Sequence, residues 1–95
     1  MLVQAGQAAE LLKAMANAQR LRVLCLLLGK EMSVGEINAQ LELSQSALSQ
    51  HLAVLRQHDL VATRREKQTV FYSVADGPVR DIIQTLYGIY CGVAT

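Results

Sequence analysis

Residues 33–41, SVGEINAQL, residues 44–57, SQSALSQHLAVLRQ, and residues 60–74, LVATRREKQTVFYSV, decide the fold. Ser33 and Glu36 have the Ser-x-x-Glu spacing of a capping box, which opens a helix with Val34, Ile37 and Leu41 on its apolar face. Ser44 caps the next helix, whose core face is Leu48, Leu52 and Leu55 at i, i+4 and i+7. Only Glu42 and Leu43 separate the first helix from that cap. With no glycine at this link, Glu42 or a neighbour has to take the bend at some conformational cost. From Leu60 the apolar period changes to two: Val70, Tyr72 and Val74 alternate with Thr69, Phe71 and Ser73, while Val61 and Thr63 answer across a turn near Glu66 and Lys67. Two short helices at a tight turn, followed by a hairpin with a basic tip, predict a winged helix-turn-helix, the module that lays one helix in the DNA major groove.

Upstream, Leu11, Leu12 and Met15 mark one face of a first helix. A second starts at Asn17 as N-cap and runs through Arg20, Leu21, Leu24, Leu27 and Leu28 to Gly29. Downstream, Asp76, Gly77 and Pro78 signal the start of a last helix, strongly apolar at Val79, Ile82, Ile83, Leu86, Ile89, Tyr90 and Val93. The expected order is ααααββα, mainly α with a β-hairpin wing. The last helix carries more apolar surface than one small core uses. It is therefore read, together with the first helix, as the interface of a homodimer.

The 95 residues suit one domain spanning 1–95, and no repeat, linker or low-complexity segment interrupts them. The apolar share of 52% is high for so short a chain and agrees with burial against a second copy. The longest apolar run, Leu21 to Leu28, is interrupted by Arg22 and falls far short of the roughly 18 residues a membrane span needs. The first residues, MLVQAGQAAELLK, lack the cationic start and apolar core of a signal peptide, so a cytoplasmic protein with no membrane partner is expected. No phosphate-binding glycine loop, paired carboxylates or nucleophile–base spacing points to an enzyme.

A net charge of +1 says little about partners, and its distribution says more. Residues 31–43 hold Glu31, Glu36 and Glu42 without a cation, whereas residues 44–75 hold Arg56, Arg64, Arg65 and Lys67 against Asp59 and Glu66. With the leucines turned inward, Gln45, Ser46, Ser49 and Gln50 are left for base edges. Ser44 stands at the helix start and Arg56 lies further along. Arg64, Arg65, Lys67 and Gln68 form a wing able to meet phosphates or the adjacent minor groove. Considered by itself, that hairpin reads equally well as a solvated surface. His51 borders the core face, where a phosphate contact and an ordinary boundary position are both open. The expected partner is double-stranded DNA, and a winged helix that binds protein instead is the competing reading.

The stretch from Ser33 to Val74, together with LLKAMANAQRLRVLCLL before it, strongly resembles the ArsR/SmtB family of small dimeric repressors over nearly the whole chain. The resemblance implies a winged-helix homodimer joined through its first and last helices, released from a palindromic operator by an effector or by thiol chemistry. Metal-sensing members carry Cys-x-Cys at the start of helix three, where this chain has Ser33 and Gly35. Others place Asp and His on helix five, and Val79 to Tyr90 contains no histidine. No metal ligand set or cofactor is therefore assigned.

What remains is Cys25, in RVLCLL, and Cys91, in LYGIYCG. These contexts resemble the thiol-based branch of the family, which implies redox sensing of persulfides or oxidants by a disulfide or polysulfide bridge between the two cysteines. A direct disulfide requires Cα atoms roughly 4.4–6.8 Å apart, and added sulfur atoms would span a wider gap. A reducing cytosol favours a transient regulatory bridge over a permanent one. Neither cysteine has an evident activating neighbour in sequence, and ordinary packing of two cysteines is the alternative. A metal or arsenite sensor built on the same thiolates would need further ligands, because two sulfurs do not close a tetrahedral site.

Overall fold

The computed structural model describes residues 1–91. Five helices and three strands follow in the order α1 (Ala5–Met15), α2 (Ala18–Leu26), β1 (Met32–Ser33), α3 (Val34–Leu41), α4 (Gln45–Gln57), β2 (Val61–Glu66), β3 (Thr69–Val74) and α5 (Pro78–Tyr90). The helices and the hairpin stand in the expected order. The addition is β1, whose Met32 and Ser33 pair antiparallel with Tyr72 and Phe71. The sheet is thus three-stranded, β1-β3-β2, with Val61 opposite Val74 at its base and Glu66 opposite Thr69 beside the wing tip. A two-residue strand carries no readable period of its own, since its pairing depends on a hairpin far along the chain.

The helix starts follow from local chemistry. Asn17 accepts backbone N–H groups from Gln19 at 2.9 Å and Arg20 at 3.1 Å. Ser33 accepts from the Glu36 N–H at 3.2 Å while Glu36 accepts from the Ser33 N–H at 2.9 Å, completing the capping box. Ser44 Oγ accepts from the Ala47 N–H at 3.1 Å. Pro78 begins α5 behind Gly77, where φ is 116° and a side chain would be strained. The bend between α3 and α4 falls on Glu42, left-handed at φ 56°.

Helix α2 ends at Leu26, earlier than expected. Leu27 and Leu28 form the turn that follows, and Gly29 at φ 75° supplies the left-handed residue beyond it. Arg20 Nε donates to the Ala14 carbonyl at 2.6 Å, tying the start of α2 to the last turn of α1. The core joins Leu24 and Leu27 to Ile37 of α3, Leu48 and Leu55 of α4, and Ile83 of α5, all with no exposed surface. Full burial of each such side chain is worth about 1.5–3 kcal/mol relative to exposure.

Outside this core the apolar excess is visible. Ile89 is 64% and Tyr90 80% exposed, and Leu12, half of whose surface is in solvent, differs from its helix-mates Met15 and Leu11 in this respect. Val93 lies outside the described residues. No described helix is long and apolar enough to cross a membrane.

Candidate functional site

Helix α4 is held against the body by Leu48, Leu52 and Leu55, all buried. The same register turns Gln45, Ser46, Ser49 and Gln50 to solvent in one strip, with Arg56 exposed two turns on. Ser44 has a second duty, because its oxygen already serves the cap. His51 is half-buried at the margin of the strip. Uncharged, short and amide-bearing side chains near a helix start allow close approach to base edges, where Gln bonds adenine through two atoms.

At the wing, Lys67 takes a left-handed conformation at φ 56° and the tip is Lys67–Gln68. Arg65, Lys67 and Gln68 are exposed. Arg64 differs from its neighbours. Its guanidinium donates to Glu31 at 2.5 Å and to Glu66 at 3.1 Å, and it lies 4.8 Å from the centre of the Phe71 ring. The hydrogen bonds from Arg64 hold the Glu31 carboxyl below the usual carboxylate range, and those to Glu31 and Glu66 push the guanidinium further up. Arg64 is therefore paired with two carboxylates, whereas Arg65 and Lys67 have no ion pair among the described residues.

The second feature lies where α2 packs against α5. A groove of about 720 Å³ is lined by both Cys25 and Cys91, with apolar walls from Leu21, Leu26, Leu41 and Tyr87. Cys25 is half-buried and Cys91 exposed, and both thiols are free. Burial pushes the Cys25 thiol up, and the neighbouring Cys91 pushes it the same way by charge repulsion. Two cysteines separated by most of the chain thus share one groove. Among the described residues, no group of three His, Cys, Asp or Glu side chains could surround a metal ion.

Arg22 and Lys30 also line this groove and were not legible as site residues. Arg22 is three positions before Cys25, so helical spacing could have flagged it. Lys30 is brought in by the turn after α2, which no periodicity encodes. Glu31 was read only as part of an acidic stretch. Helix α2 also packs against α3 and α4, so one helix touches both the thiol groove and the reading head.

A two-helix reading head with an exposed strip of Ser and Gln, a hairpin wing and a helical scaffold defines the winged helix-turn-helix class of transcription regulators. The family model for the bacterial regulatory proteins of the arsR family matches residues 17–63. The chain is 57% identical over 86 residues to the transcriptional activator HlyU of Vibrio cholerae, covering 90% of this chain and 80% of that protein. It is 43% identical over 88 residues to the biofilm growth-associated repressor of Agrobacterium fabrum, covering 93% and 75%. The solved structure of HlyU from Vibrio cholerae superposes with a TM-score of 0.92 at 55% identity over 96% of this chain and 99% of that one. That of the repressor BigR from Xylella fastidiosa gives 0.89 at 36% identity over 100% and 94%. The chain belongs to the ArsR family of bacterial transcription regulators.

Proposed function

We propose that this regulator works in the cytoplasm as a single-domain homodimer on a palindromic operator, and that chemistry joining Cys25 to Cys91 switches its DNA affinity. The observation that carries the switch is the shared groove: both thiols line one cleft between α2 and α5. In this reading Gln45, Ser46, Ser49 and Gln50 face base edges. Ser44, His51, Arg56, Arg65, Lys67 and Gln68 face the backbone, and Arg64 joins them once released from Glu31. The exposed apolar residues of α1 and α5 meet their counterparts in the second copy.

The chemistry balances with a persulfide, RSSH, as sole reactant. A Cys25 thiolate attacks the terminal sulfur, the S–S bond of the donor breaks, and RS⁻ leaves with the electron pair to become RSH. Cys91 as thiolate then attacks the Cys25 Sγ, and HS⁻ leaves as a disulfide forms. Sulfane sulfur is the oxidant, and the products are one disulfide, one RSH and one H₂S. If Cys91 first takes sulfur from a second donor, the same displacement leaves a bridge of three sulfurs. Peroxide would yield the plain disulfide with water as the reduced product.

Joining α2 to α5 at this point pulls on the helix that packs behind α4. Two recognition helices must match half-sites about 34–36 Å apart, so a small change in tilt lowers affinity in both half-sites together. Intact-mass spectrometry of reduced protein treated with glutathione persulfide tests the reading. A Cys25–Cys91 crosslink, with or without added sulfur, is expected; unchanged mass would return both cysteines to packing roles.

A further inference from the structure

Among the described residues, the groove shared by Cys25 and Cys91 is lined by cations and by no acid. Arg22 and Lys30 line it, with Gln40 as the other polar side chain besides Tyr87 and the thiols. Among the described residues the ion pairs are Arg64–Glu31, Arg64–Glu66 and Arg80–Asp76, so neither groove cation is paired with a carboxylate. Arg22 donates to the neutral Gln19 Oε1 at 2.7 Å. Among the described residues, neither charge is thus met by an acid. Two cations without an acidic partner among the described residues, lining one groove with two thiols and apolar walls, describe a surface that attracts an anion into the cleft that holds the sulfur.

We propose that the groove is a docking site for a small carboxylate-bearing persulfide, with Arg22 and Lys30 binding the carboxylate while the sulfane sulfur faces Cys25. The volume of about 720 Å³ falls within the range of small-molecule sites. Arginine offers a carboxylate two parallel N–H donors, and lysine adds a mobile point charge. Docking raises the local concentration of the donor before the thiol step and selects among sulfur donors by their charge. The inference rests on the thiol switch proposed above and names the class of molecule that operates it. Peroxide has no carboxylate and gains nothing from these residues.

The test compares two donors that differ in one carboxylate, the persulfides of N-acetylcysteine and of its methyl ester, by the rate of Cys25–Cys91 crosslinking in quenched intact-mass time courses. The wild-type chain should react about three- to tenfold faster with the acid at low ionic strength, and added salt should shrink that preference. The double variant Arg22→Gln/Lys30→Gln should lose the preference and keep its rate with the ester, which also shows that the fold survives. If the double variant reacts with neither donor, the single variants Arg22→Gln and Lys30→Gln decide, each expected to lose part of the preference. Equal wild-type rates for the two donors, or a preference retained in the variants, would overturn the docking site while leaving the thiol switch intact. Wild-type protein that forms no crosslink with either donor would overturn the switch, and the docking site with it.

Discussion

Arg64 and Glu31, 33 positions apart in sequence, are joined by three hydrogen bonds from the guanidinium to both carboxylate oxygens, at 2.5, 3.0 and 3.2 Å. The pair fastens the wing strand β2 to the residue just before β1, across the middle strand β3. It also pairs with carboxylates the wing arginine that charge counting alone would assign to a phosphate.

Replacing Glu31 with Gln should therefore strengthen operator binding several-fold by releasing Arg64, and steepen the salt dependence by about one counterion per subunit. Arg64→Ala should cost less affinity than Arg65→Ala or Lys67→Ala. Fluorescence anisotropy across a salt series checks both statements; an Arg64→Ala loss exceeding the other two would contradict the clamp. Because the Glu31 carboxyl is held below its ordinary range, its contribution is complete above that range and fades as pH falls through the lowered value. The pair is solvent-exposed, so the effect belongs to wing geometry more than to global stability.

Glu42 sits at φ 56° in the link between α3 and α4. A left-handed conformation costs a non-glycine residue about 1–2 kcal/mol, part of which glycine returns through its greater freedom when unfolded. Glu42→Gly should leave stability level or raise it by up to about 1 kcal/mol in urea unfolding. A clear loss would mean that the Glu42 side chain has a structural role beyond the bend.

Leu55 is fully buried on α4, between the reading strip and the body. Leu55→Ala should destabilise the protein by about 2–5 kcal/mol and lower operator affinity chiefly through unfolding. Chemical denaturation followed by circular dichroism measures this directly, and a cost under about 1 kcal/mol would contradict the packing.

The Cys25 thiol is raised by burial first and by Cys91 second. Cys91→Ser removes the second cause, so the Cys25 titration should move down while staying above that of an exposed thiol. For a thiol raised on folding, the stabilisation is complete below the unfolded value and is lost as pH climbs through the folded one. The pH dependence of Cys25 alkylation in the two proteins gives the comparison; identical profiles would show that the thiols do not sense each other.

Much of this architecture was legible because its signals are local. Asn17, Ser33 with Glu36, and Ser44 announce their helices through side chains only a few residues from the groups they satisfy, and Gly77 with Pro78 does so through backbone conformation. The leucines at 48, 52 and 55 then determine which side chains of α4 face outward. The strand β1 was not legible, since Met32 and Ser33 become a strand only when β3 arrives beside them. The same holds for the Arg64–Glu31 pair and for the entry of Lys30 into the thiol groove. Each depends on contacts between elements distant in sequence. The cysteines stand between these cases: their positions on α2 and at the end of α5 were readable, and the groove that unites them was a product of tertiary packing.

The most direct test of the central claim is operator affinity before and after treatment with glutathione persulfide, measured by anisotropy on wild type, Cys25→Ser and Cys91→Ser. The account predicts that all three bind the operator when reduced, that wild type weakens at least tenfold on treatment and recovers with dithiothreitol, and that neither variant responds, a tenfold change being about 1.4 kcal/mol. A variant that releases DNA as wild type does, or a wild type that holds it unchanged, would contradict a switch made of Cys25 and Cys91.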